Sequence, residues 1–114
     1  MNKYYMNNVL IPKDDDRIIC VKVGKVMREN LYEMTRKYWV LKLEKALKAT
    51  HVLAIVDGVV EAVYTPQEWK YSDDPQHEGR CEFVGKECPK SDYIGKCVKV
   101  YYGRSSNPVK YINM

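Results

Sequence analysis

The sequence has no apolar run approaching the roughly 18 residues a membrane span requires. Its first residues, Met1-Asn2-Lys3-Tyr4-Tyr5, open no apolar signal segment. A cytoplasmic protein without a membrane partner is expected. The four cysteines, Cys20, Cys81, Cys88 and Cys97, form no CxxC pair. Structural zinc sites bring their ligands in pairs two to four residues apart, so that a tight turn aims both at one ion. The longer gaps here argue for free thiols and against a metal site. There are no internal repeats, no low-complexity segment, and no Walker spacing for a nucleotide-binding loop. Histidine is scarce, at two residues, which leaves few bases to activate a nucleophile.

What is present describes an ordinary globular chain. At 114 residues, 46% hydrophobic and 30% charged, it has the length and composition of one domain with one core. Residues 1–114 are therefore read as a single domain, with residues 1–16, ending in the charge run Lys13-Asp14-Asp15-Asp16, as a loosely packed arm. The net charge of +4 is unevenly spread. Residues 21–50 carry eight Lys or Arg against three Glu, residues 51–78 one Lys against six acids, and residues 79–114 seven basic against three acidic residues. Such segregation suits a basic face that attracts phosphates, and it equally suits solvated helix faces and lysine-protected edge strands.

Residues 17–23, Arg-Ile-Ile-Cys-Val-Lys-Val, form a β-rich run stopped by Gly24. Met27, Leu31, Met34 and Tyr38 recur at helical spacing, predicting a helix over 26–38. Asn30 followed by Glu33 has capping-box spacing, so the regular helix can begin at Leu31. A second helix is predicted at 41–49, with Leu43, Ala46 and Leu47 on an apolar stripe and Lys42, Lys45 and Lys48 facing outward. The clearest local signal is Asp57-Gly58 between the apolar runs 51–56 and 59–64, which predicts a type I′ hairpin in the centre of the sheet. Residues 66–79, with Pro66, Pro75 and Gly79, read as a surface loop interrupted by Trp69 and Tyr71. Strands are predicted at 80–84, 96–102 and 109–112.

The sum is an α+β fold: about six strands in a small mixed, mainly antiparallel, barrel-like sheet, with two helices inserted after the first strand. The segments Thr35-Arg36-Lys37-Tyr38-Trp39, Val56-Asp57-Gly58-Val59-Val60-Glu61-Ala62-Val63, Glu82-Phe83-Val84-Gly85, Tyr93-Ile94-Gly95-Lys96 and Asn107-Pro108-Val109-Lys110-Tyr111 resemble a group of small uncharacterised prokaryotic and phage-associated proteins. That resemblance implies no particular activity. The element order is also similar to the PUA-like superfamily, with its ASCH and EVE branches. This second resemblance implies a cleft between barrel and helices that binds RNA or modified bases. The lysine-bearing motif of the ASCH amidohydrolases has no match here.

Arg36, Lys37 and Trp39 combine charge with an aromatic ring, a mixture that suits a stacked base and its phosphate. Trp69 sits in a polar stretch and would supply a second wall if it converged with Trp39; a core role competes for both. Arg104, in Gly103-Arg104-Ser105-Ser106-Asn107, offers a further phosphate contact. Cys81 or Cys97 with His77 would be the nearest approach to a catalytic dyad, with no spacing to favour it. The reading is a non-catalytic module binding RNA or DNA through Arg36, Lys37, Trp39, Trp69 and Arg104, without metal or cofactor. A small hydrolase acting on nucleobases and a protein-interaction module are the alternatives.

Overall fold

The computed structural model describes residues 8–25 and 30–114. It is an α+β fold with one five-stranded mixed sheet and, among the described residues, three short α-helices. The strands are β1 (Ile18–Lys22), β2 (His51–Val56), β3 (Val59–Tyr71), β4 (Cys81–Glu87) and β5 (Val109–Ile112). The helices are α1 (Leu31–Arg36), α2 (Leu43–Ala46) and α3 (Lys99–Tyr102). The strand order is β4-β3-β2-β1-β5. β1 and β2 are parallel and the other three pairings antiparallel.

The parallel pair follows from the chain path, since the segment carrying α1 and α2 is long enough to return the chain across the sheet before β2. Asn30 caps α1, its side chain accepting from the Glu33 N–H at 2.9 Å, as the capping-box spacing predicts. The portion of the predicted first helix at 26–29, including Met27, lies outside the described residues. Asp57 and Gly58 both hold positive φ, 53° and 77°, and join β2 to β3 in the expected hairpin.

Three expectations are corrected. The sheet has five strands rather than six and stays open, because its edge strands β4 and β5 do not pair with each other. Residues 66–71 are not loop, as β3 runs on to Tyr71. Pro66, which has no N–H to give, is tolerated because the ladder shifts register between Pro66 and Glu68. Gly85 faces that bulge, where a Cβ would lie 2.4 Å from the Thr65 carbonyl oxygen. Finally, the β-rich run at 96–102 ends in helix α3, not a strand. Val98 and Tyr102, four residues apart, both bury against the sheet, and that packing overrides the β propensity of the sequence.

Alternation along the strands separates two cores. On one face, Ile18, Cys20, Leu53, Ile55 and Val63 pack with Leu10, Tyr93, Val98 and Tyr102. On the other, Ile19, Val21, Val52, Ala54 and Tyr64 pack with Ala46, Leu31, Tyr32 and Leu43. The helices α1 and α2 therefore cover the second face, while α3 and the segment before it cover the first. Of the arm expected over residues 1–16, residues 1–7 lie outside the described residues. Within 8–16, Leu10 is fully buried, its N–H donates to the Cys97 carbonyl at 2.9 Å, and the Lys13 N–H reaches the Tyr93 hydroxyl at 3.0 Å.

Candidate functional site

Three of the five residues singled out in the sequence, Arg36, Lys37 and Trp39, lie in the segment that runs along the β4 edge, and Trp69 lies on β3 beside that strand. An edge strand presents unpaired backbone groups on alternate residues. Here Cys81 exchanges both main-chain hydrogen bonds with Trp39, at 2.8 and 2.9 Å. Further along, Arg36 Nε donates to the Phe83 carbonyl at 2.9 Å, and the Gly85 N–H donates to the Tyr32 hydroxyl at 3.0 Å. The Arg36 guanidinium is also paired with Glu82 at 2.8 Å and Glu33 at 3.3 Å, and Lys37 Nζ with Glu33 at 3.3 Å. These two cations are already met by carboxylates.

The tryptophans are tied inward. Trp39 is half-buried and its Nε1 donates to the Thr35 carbonyl at 2.7 Å. Trp69 is 6% exposed, with its ring centroid 5.0 Å from that of Phe83. Both belong to the core beneath α1 and α2. Arg104 follows α3 on the opposite face and beside the opposite edge, and it is exposed. The five residues thus do not share one cleft.

A different basic constellation does converge. Arg17, Lys42, Lys45 and Lys48 line a groove of about 540 Å³, with Glu44 as its one acid and Met114 at its rim. Arg17 precedes β1 and alternates onto the face covered by α2, where the three lysines lie at helical spacing. Its backbone is clamped to Thr50: the Arg17 N–H donates to Thr50 Oγ1 at 2.8 Å and the Thr50 N–H to the Arg17 carbonyl at 2.7 Å. Its guanidinium donates to the Asp14 and Asp16 carbonyls at 3.0 and 3.2 Å, contacts that leave its charge unneutralised. Lys45 Nζ stands 4.0 Å from the ring centroid of Tyr111. Among the described residues, none of the four cations has a carboxylate within 4.0 Å.

The outward lysine row was legible in the sequence. Its meeting with Arg17 and Tyr111, 31 and 63 residues away from Lys48, depends on the register of β1 with β5, which pairs Ile19 with Tyr111.

The histidines take structural partners. His77 stacks on Tyr38, with centroids 3.8 Å apart and planes 13° from parallel. Cys81 and Cys97 are both buried. His51 Nδ1 lies 2.8 Å from Thr50 Oγ1 and 3.8 Å from Asp16 Oδ1, and the Tyr93 hydroxyl donates to the other Asp16 oxygen. Among the described residues, no three His, Cys, Asp or Glu side chains group as metal ligands. Comparison with protein-family models, with curated proteins and with solved structures finds no match to this chain.

Proposed function

We propose that this protein is a non-catalytic nucleic-acid-binding module that holds the phosphate backbone of RNA or DNA in the groove of Arg17, Lys42, Lys45 and Lys48. One observation carries the reading: four cations line a single groove with one acid, and none is neutralised by an ion pair among the described residues. Cations left unpaired at close range raise the local potential and release condensed counterions when a polyphosphate replaces them. A PUA-like relationship implies the same class of ligand. The ligand contact moves, however, from the β4 edge to α2, since Arg36 and Lys37 already hold carboxylates.

Among the described residues no aromatic side chain lines the groove, and Tyr111 lies beneath Lys45, whose Nζ is 4.0 Å from its ring centroid. The reading is therefore of backbone binding by charge, with sequence preference small.

The test is fluorescence anisotropy of labelled single-stranded and duplex oligonucleotides at several salt concentrations, for the wild type and for a Lys45→Gln/Lys48→Gln variant. Log affinity is expected to fall linearly with log salt. The double variant should reduce the slope by about 1.4 on a single strand, at about 0.7 per phosphate contact. Absence of saturable binding at low salt, or an unchanged slope in the variant, would overturn the reading.

A further inference from the structure

A second basic cavity lies on the other face, at the opposite end of β1. It has a volume of about 420 Å³ and sits beyond the carboxyl ends of the parallel strands β1 and β2. Lys22, Lys99, Tyr102 and the Asp57-Gly58 turn form its walls.

Both lysines are placed by packing, without help from carboxylates. Lys22 is the last residue of β1, on the face of Ile18 and Cys20, and its Nζ is 4.3 Å from the Tyr102 ring centroid. Tyr102 is itself fixed: it is buried, and its hydroxyl donates to the Pro108 carbonyl at 3.0 Å. Lys99 opens α3 with its stem laid over Gly58, where a Cβ would come within 2.3 Å of Lys99 Cγ. The Val98 N–H anchors the same contact by donating to the Gly58 carbonyl at 2.8 Å. The acid on the wall, Asp57, is already engaged by Lys25 at 2.8 Å. Among the described residues, neither Lys22 nor Lys99 has a carboxylate within 4.0 Å.

We propose that this cavity is a binding site for the phosphate group of a small molecule, free phosphate or a phosphate monoester, held between the ammonium groups of Lys22 and Lys99. Two cations lining one cavity favour a compact dianion over a singly charged carboxylate. The volume exceeds that of phosphate alone and leaves room for an attached sugar-sized group. The site is separate from the groove on α2, at the other end and on the other face of the sheet, so either can exist without the other.

The experiment is an amide ¹H–¹⁵N NMR titration of the full chain with inorganic phosphate, with adenosine monophosphate and with adenosine. Saturable shifts at Gly58, Lys99 and Gly103 are expected with both phosphate-bearing probes and not with adenosine. Equal affinity for the two would identify the ligand as phosphate itself, and tighter binding of the nucleotide would identify an ester. Lys22→Gln and Lys99→Gln should each weaken binding about tenfold or more, the loss expected for one charged hydrogen bond. Both residues are exposed, so both variants should fold, which their unperturbed spectra away from the cavity would verify. Three results would overturn the proposal: no shift at these amides with either phosphate probe at millimolar concentration, equal shifts with adenosine, or full affinity retained in both variants. Loss of oligonucleotide binding to the α2 groove would leave this titration unaffected.

Discussion

Arg36 Nε is 2.9 Å from the main-chain oxygen of Phe83, so a guanidinium of the kind that suits phosphate is instead part of the sheet edge. The same group holds Glu82, and the two side chains are only 15% and 12% exposed. Replacing Arg36 would leave a largely buried carboxylate and a strand carbonyl without their donor. Arg36→Ala should therefore cost about 2–3 kcal/mol of stability, measured by urea unfolding. Oligonucleotide affinity of the folded variant, and its salt dependence, should match the wild type. A stable variant with weakened binding would return Arg36 to the ligand site.

Trp69 gives a second separation of roles. Its indole Nε1 is buried and has no hydrogen-bond partner among the described residues, which costs part of what its ring contributes. Trp69→Ala should remove packing against Phe83 and lose about 3–5 kcal/mol. Trp69→Phe removes the unpartnered N–H as well as some area, so its loss should be below about 1.5 kcal/mol. If the two variants are equally destabilised, a hidden acceptor for Nε1 is implied. If both fold as the wild type does while binding less oligonucleotide, the tryptophan belongs to a site after all.

These two residues show where the sequence was readable. Local chemistry was: the Asn30 cap, the Asp57-Gly58 turn and the β-branched runs at 17–23 and 109–112 each gave their element from neighbouring residues alone. Interactions across the fold were not. Pro66 and the polar residues after it read as loop because the partner that keeps them extended, β4, comes later in the chain. Val98 and Tyr102 read as strand because their burial at helical spacing depends on a sheet formed elsewhere. Arg36 and Trp39 looked like a ligand surface for the same reason, since Glu82, Phe83 and Cys81, which engage them, lie more than forty residues further on.

Burial also predicts how the fold responds to alkali. Desolvation pushes the Cys20 thiol up from 9.0 to about 12. It pushes the Tyr64 phenol up from 10.0 to about 12, with Glu87 adding to the effect. Tyr93, Tyr101 and Tyr102 are raised as well, burial being the largest cause in each. In all five the folded state keeps a proton that the unfolded chain releases, so stability is complete below about pH 9 and falls as pH rises through 10 to 12. Tyr64 alone should account for about 2–3 kcal/mol of that loss by pH 12. Urea unfolding at pH 8 and pH 10.5 should show the midpoint dropping, and Tyr64→Phe should flatten the drop. A midpoint independent of pH across this range would contradict the burial of these groups.

The four thiols should differ sharply in reactivity. Cys20 and Cys81 are fully buried and Cys97 is 4% exposed, whereas Cys88 is half-exposed, with Thr65 Oγ1 3.1 Å from its sulfur. Alkylation requires the thiolate to meet reagent in solvent, so access orders the rates before nucleophilicity does. Iodoacetamide applied to the folded protein at pH 8 should give one adduct, on Cys88, by mass spectrometry of its peptides. In denaturant all four should react at similar rates. Cys88→Ser should then be inert under native conditions, and any slow residual labelling of Cys97 would measure how often the contact between Leu10 and the Cys97 carbonyl opens. Rapid native labelling of Cys20 or Cys81 would contradict the two closed cores on either side of the sheet.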